Sequence, residues 1–147
     1  MTSTRQRLTG RITVDLPPAE AFRLFTPLGE QDWAHGWRPQ FPAQVFDDAE
    51  PGTVFETRAH GEHTIWLVTS REPDKSISYA RVTPGQKAGT VTIVIRPSGG
   101  HSDVEVTYHL TALTPAAADE LGEFADRYPA YLQSWEDAIA KSFRLRA

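Results

Sequence analysis

Apolar residues along this chain change their spacing three times, and the changes divide it into four stretches. From Leu8 to Leu16 they fall on every second position. Leu8, Ile12, Val14 and Leu16 share one parity, while Arg7, Thr9, Arg11, Thr13 and Asp15 take the other. A period of two predicts a half-buried strand. Gly10 interrupts the apolar parity, as a bend or a close backbone contact would require. Leu16-Pro17-Pro18 stops the strand and starts a helix, because proline is tolerated in the first helical turn. Ala19, Phe22, Leu24 and Phe25 give that helix its apolar stripe, and Pro27 limits it. A second short helix is predicted over Leu28–His35, with Gly36 as its stop.

From Phe41 to Leu113 the strand period returns in short pieces. The predicted strands are Ala43–Phe46, Thr53–Ala59, Thr64–Arg71, Ser76–Val82, Thr90–Arg96 and Asp103–Leu113. Turn signals separate them: Glu50-Pro51-Gly52, His60-Gly61-Glu62, Pro73-Asp74, Pro84-Gly85 and Pro97-Ser98-Gly99-Gly100. In the last of these strands Val104, Val106, Tyr108 and Leu110 share one face. Asp103, Glu105, Thr107, His109 and Thr111 share the other, so the sheet has one buried face and one wet face. After Thr114-Pro115, a cap and first-turn pair, the period changes to three or four. Leu121, Phe124, Tyr128, Leu132, Trp135, Ile139 and Phe143 make a stripe on a helix predicted from Pro115 to Arg144, about 45 Å long at 1.5 Å per residue. Pro129 lies inside it and predicts a kink, because it cannot donate to the carbonyl of Ala125. No repeat or low-complexity linker interrupts the chain, so residues 1–147 read as one α+β domain.

Composition narrows the chemistry. The chain has no cysteine, which removes disulfides, thiolate nucleophiles and Cys-ligated metals. Its formal charge of −4 argues against a basic nucleic-acid footprint. Met1 to Arg7 lead into no apolar run, and no stretch has the ~18 apolar residues of a membrane span. A cytoplasmic protein, monomer or homodimer, without nucleic-acid or membrane partners, is expected. There is no phosphate loop, no GxSxG elbow and no HExxH helix. Pro84 to Gly89 reads as a strand connection, and Asp47-Asp48 as a loop pair pointing two ways. His60-Gly61-Glu62-His63 is an exposed turn with too few converging donors for a metal, so neither a metal nor a cofactor is expected.

The order of strand, two short helices, six strands and long helix resembles the START-like superfamily, also called Bet v 1-like or SRPBCC. The resemblance is carried by LPPAEAFRLFTPLGEQDWAHGW, HTIWLVTSREPDKSISYARVTPG and VTYHLTALTP, and is nearest to its polyketide cyclase/dehydrase-like bacterial group. It implies a helix-grip fold, with a curved seven-stranded antiparallel sheet around the C-terminal helix and a cavity between them. The implied ligand is a small apolar or aromatic molecule with a polar head.

Large amphipathic rings suit such a cavity, since each has an apolar body and a polar tip. Trp33, Trp37, Phe55, Trp66, Tyr79, Tyr108, Tyr128, Tyr131 and Trp135 are the aromatic candidates for ligand contact, with core packing the alternative for each. Tyr79 and Arg81 share a parity. Facing inward, Arg81 would hold a carboxylate, phosphate or enolate oxygen; facing outward, it would only solubilise the sheet. Alternation leaves both orientations open, as it does for Trp66 and Val68 against Ile65 and Leu67. His35 follows Trp33 near the cavity mouth that the resemblance implies, and is a candidate catalytic or ligand-contacting residue. His101 reads as a turn residue and His109 as exposed. Two further functions compete with ligand carriage. One is a cofactor-free cyclase/aromatase acting on a carbonyl substrate, with acid/base chemistry centred on Arg81 and Tyr79 and the phenol activated by the nearby cation. The other is an interaction module of the Hsp90-activator kind, which would need an exposed apolar patch or a companion domain.

Overall fold

Alternation in the middle of the chain becomes a six-stranded antiparallel curved sheet. The structure, a computed structural model, describes residues 3–59 and 61–146; His60 of the proposed turn lies outside the described residues. The strands are β1 (Arg5–Val14), β2 (Val54–Ala59), β3 (Glu62–Glu72), β4 (Ser76–Thr83), β5 (Lys87–Ser98) and β6 (His101–Ala112), in the order β1-β6-β5-β4-β3-β2. Helix α1 (Pro18–Arg23) follows β1, and α2 (Pro115–Asp126) and α3 (Tyr128–Arg146) form the C-terminal helical segment.

One face of the sheet builds the core. Val104, Val106, Tyr108 and Leu110 of β6 are buried, and their partners on β5 include Val91, Ile93 and Ile95. Ile12 and Val14 extend this row onto β1. Onto it packs the α2–α3 stripe of Leu121, Tyr128, Leu132, Trp135 and Ile139. Helix α3 approaches β1 more closely than any other strand. Gly10 allows this, because a Cβ there would stand 2.5 Å from Leu132 Cδ1. Glu136 fastens the same contact by accepting the Thr13 backbone N–H at 2.7 Å, and the Tyr128 hydroxyl donates to the Val106 carbonyl at 2.6 Å.

Three expectations are corrected. The sheet has six strands, because Ala43–Phe46 forms none. Only Gln40 meets the free edge of β2, exchanging backbone hydrogen bonds of 2.8 and 2.9 Å with Glu56. Pro39 and Pro42 bracket that bridge, and proline has no N–H with which to extend a ladder. Phe46, at the end of that segment, is 93% exposed. The helix expected over Leu28–His35 is one 3-10 turn, Gly29–Asp32. It ends as Trp33 leaves helical geometry and the indole N–H groups of Trp33 and Trp37 donate back to the Leu24 and Pro27 carbonyls, at 2.8 and 2.7 Å. The long C-terminal helix is more than kinked: it breaks at Arg127 between α2 and α3. Pro129 leaves the preceding turn short of a donor, and it sits in the first turn of α3, where that loss is tolerated. Thr114 caps α2 by accepting the Ala117 N–H at 3.0 Å.

The backbones of β5 and β6 come unusually close at Gly89. This residue lies opposite both Arg81 and Leu110, and a Cβ there would stand 2.0 Å from the His109 carbonyl oxygen. Glycine is required where backbones come this close.

Two stability outcomes follow from the seating of α3. Gly10→Ala is expected to lose about 1–3 kcal/mol to overpacking, and less in a Leu132→Ala background, where the opposing methyl is gone. Urea unfolding of both variants and the double variant checks this; equal losses in the two backgrounds would place the clash elsewhere. Trp135→Ala is expected to cost about 3–5 kcal/mol, as for other large rings removed from a core, and a loss below 1 kcal/mol would contradict the packing described.

Candidate functional site

Between the concave sheet face and the helices is a pocket of about 1140 Å³. Its wall draws on Trp66 of β3, Tyr79 and Arg81 of β4, Val91 and Ile93 of β5, and Tyr108 and Leu110 of β6. Leu121, Phe124, Tyr131 and Trp135 close it from the helical side, and Glu30, Trp33 and Trp37 from the 3-10 turn and the segment after it. Exposed His35, Glu123, Arg127 and Ser134 stand at its rim.

The parity left open by the sequence is resolved by burial. Ile77, Tyr79, Arg81 and Thr83 point inward on β4, and Trp66 and Val68 on β3. Ile65, Leu67 and Val82 are on the outer face, each about two-fifths exposed. Of the residues singled out from the sequence, Trp33, His35, Trp37, Trp66, Tyr79, Arg81, Tyr108, Tyr131 and Trp135 line the pocket. Phe55 and Tyr128 stand behind its wall. Phe55 is fully buried and stacked on Trp66, with ring centroids 5.8 Å apart and planes 1° apart. Tyr128 is buried with its hydroxyl committed to the Val106 carbonyl. His101 is the first residue of β6 rather than a turn residue, 2.6 Å from Asp15. His109 lies half-buried on the outer face.

Most ring tips serve the protein. Trp33 and Trp37 bond to backbone carbonyls as described, Trp66 donates to Thr57 Oγ1 at 2.9 Å, and Tyr79 donates to the Phe25 carbonyl at 2.6 Å. Buried rings with a polar tip ordinarily find such partners. The rings also pack edge to face, as in Trp37–Trp66 and Trp66–Tyr79 on one side of the pocket and Tyr108–Phe124 on the other.

Tyr79 is therefore not the activated phenol anticipated beside Arg81. Burial pushes its pKa well up, and the Glu30 and Asp48 carboxyls push it the same way. Burial likewise raises Tyr108 and Tyr131, whose hydroxyls face each other at 3.3 Å. Phenols so placed stay protonated at neutral pH.

Two polar groups in the wall remain uncommitted. Arg81 stacks its guanidinium 4.8 Å above the Trp66 ring, and its Nη2 reaches Thr83 Oγ1 at 3.3 Å. Thr83 in turn shares a 2.8 Å hydrogen bond with Thr64. Arg81 Nε is buried without a hydrogen-bond partner, and among the described residues no carboxylate pairs with the guanidinium. The other group is Glu30, 8% exposed, whose carboxyl accepts no hydrogen bond from the described residues. Burial pushes its pKa well above the ordinary Glu value. Sequence reasoning passed over Glu30, although it shares the i, i+3, i+4, i+7 spacing of Trp33, Ala34 and Trp37. A carboxylate on a ring-bearing stripe was the available signal. Glu62, read as an exposed turn residue, and Lys87, read as part of a strand connection, instead pair at 3.3 Å in the pocket wall. The turn considered for a metal is occupied otherwise, since His63 bonds to Glu56 at 2.5 Å.

An acid whose pKa is higher in the folded chain than in the unfolded one keeps its proton after the unfolded chain has released it. Unfolding free energy then falls as pH rises through the ordinary Glu range, and levels off once the folded group also ionises. Glu30→Gln is expected to remove that fall, so its stability gain over the parent grows as pH rises above about 4.3. Urea melts across pH 4 to 8 check this; a difference independent of pH would show Glu30 to be ordinarily charged.

Comparison with known proteins bears first on the fold. Protein MLL2253 of Mesorhizobium loti superposes with a TM-score of 0.70 at 17% identity, over 92% of this chain and 98% of that one. Norcoclaurine synthase of Thalictrum flavum, solved in complex with dopamine and hydroxybenzaldehyde, gives 0.66 at 13% identity over 99% and 90%. The Aha1 dimer of Colwellia psychrerythraea gives 0.60 at 15% identity over 91% and 96%. At these identities the likeness is one of fold, the Bet v 1-like fold. No curated protein matches the sequence. The model of the family described as polyketide cyclase/dehydrase and lipid transport matches residues 5–131, most of the chain, and the chain belongs to that family.

Proposed function

We propose that this protein binds a small apolar or aromatic molecule through an anionic or strongly polar oxygen, held in the pocket between sheet and helices. The observation that carries this reading is Arg81. A guanidinium on a largely apolar wall, with Nε unpartnered and no carboxylate beside it among the described residues, is short of an acceptor. Nε itself is shut off from the pocket, so a ligand oxygen would meet the terminal guanidinium nitrogens, of which Nη2 has only Thr83 as a partner, and would gain a charge-assisted hydrogen bond in a poorly solvated place. Trp66 beneath the guanidinium holds it in position. The surrounding rings supply the apolar contact that most small-molecule sites use. Family membership and fold support ligand binding in general, and Arg81 is what points to an anionic head.

Catalysis of the cyclase/aromatase kind has weaker support, since Tyr79 is committed to a backbone carbonyl and raised in pKa. A role as an interaction module gains nothing from the pocket.

Quenching of tryptophan fluorescence gives the test, with 2-naphthoate and its carboxamide as probes. The parent protein is expected to bind the carboxylate at least tenfold more tightly than the amide, and Arg81→Met to bring the two together. Equal affinities in the parent would refute the anionic head, and failure of both probes to bind would count against the pocket as a ligand site.

A further inference from the structure

The pocket has a second polar pole. Glu30 comes from the 3-10 turn Gly29–Asp32, and its side chain enters the wall between Trp33 and the sheet. It is more than nine-tenths buried, yet it makes no ion pair and no side-chain hydrogen bond with the described residues. Two of the ring tips in the same wall are engaged elsewhere: Trp33 donates to the Leu24 carbonyl and Tyr79 to the Phe25 carbonyl, while Tyr108 and Tyr131 share one hydrogen bond between them. Glu30 nevertheless lies close enough to Tyr79, Tyr108 and Tyr131 for its charge to raise all three, while Arg81 acts on Tyr108 and Tyr131 in the opposite sense. Glu30 and Arg81 both line the one pocket.

A carboxylate in such a place would be a buried charge without a partner, which costs far more than a protonated carboxyl does. The protonated form has one O–H donor, and among the described residues no acceptor meets it. Its oxygens are not sealed off as Arg81 Nε is, so a ligand oxygen that enters the pocket can accept from this donor.

We propose that Glu30 donates a hydrogen bond to a neutral carbonyl or hydroxyl oxygen of the same ligand whose anionic head is held by Arg81. The ligand class is thereby narrowed to an aromatic or unsaturated acid with a second, uncharged oxygen. A plain fatty acid or a simple aryl carboxylate satisfies one pole and leaves the other unmade. This inference rests on the pocket being a ligand site with Arg81 at one end.

The experiment compares 2-naphthoate with a set of its monohydroxy isomers, using the same fluorescence titration. The parent is expected to bind at least one hydroxy isomer about tenfold more tightly than 2-naphthoate, the worth of one hydrogen bond in a buried site. In Glu30→Leu that ratio is expected to fall to about one. In Glu30→Gln, whose amide still donates, most of it is expected to survive. No gain for any isomer in the parent, or an undiminished gain in Glu30→Leu, would overturn the proposal. Infrared difference spectra of the parent give a measurement independent of how the variants fold. The carbonyl stretch of a protonated carboxyl is expected to move when the favoured hydroxynaphthoate binds and to be missing in Glu30→Gln; the absence of such a band in the parent would also overturn the proposal. Failure of every naphthoate to bind the parent would instead refute the pocket reading on which this one rests. Binding indifferent to Glu30 would refute the present inference alone.

Discussion

Helix α3 can lie close to only part of the sheet, and much of the molecule follows from where it lies. Six strands at about 4.8 Å spacing make a face about 24 Å across, whereas a helix with its side chains is about 10–12 Å wide. Gly10 draws α3 onto β1, at one margin, through the space a side chain would have filled. The opposite half of the concave face is left to be covered by something other than helix backbone. Large rings from β2–β4 and from the segment around Trp33 and Trp37 do that work, meeting edge to face. The space between these rings and the helices is the pocket.

Close backbone approach is the second half of the same geometry. At Gly89 the backbones of β5 and β6 come closer than a Cβ would permit, and the missing side chain lies in the row between Arg81 and Leu110. Only glycine fits that position of the row. The break at Arg127 shapes the other wall. It lets α2 and α3 follow the curve as two straight pieces, with Phe124 and Tyr131 on either side of the joint, 5.0 Å apart.

Much of this was legible in the chain. Five of the six predicted middle strands exist, because Val104 to Leu110 and its partners alternate across a boundary between core and water. The helical stripe was readable for the same reason, at its own period. Other features depended on contacts that a linear pattern does not carry. Ala43–Phe46 alternates like a strand but has no neighbour beyond Gln40. Leu28–His35 has a helical stripe, yet two indole donors turn the chain back on itself after one 3-10 turn. The orientation of Tyr79 and Arg81 was unreadable because the outer face there is apolar as well. Ile65 lies opposite Val82, and Leu67 opposite both Val54 and Ala80, so neither parity looked wet. Glu30 stood on the stripe of Trp33, Ala34 and Trp37, a signal that was present but weak, because an acid in a short polar turn resembles any solvated side chain until its burial is seen.

The internal bonding of the ring tips has a consequence for specificity. Trp33, Trp37, Trp66 and Tyr79 draw their hydrogen bonds from backbone carbonyls and a threonine, so the shape of the pocket does not depend on its contents. Polarity at the wall is concentrated in side chains that hold little else in place, Arg81 and Glu30 foremost. On the proposed reading, shape and chemical preference are therefore set by different residues. Substitution at positions 30 and 81 would then change the class of molecule held while the walls stay as they are.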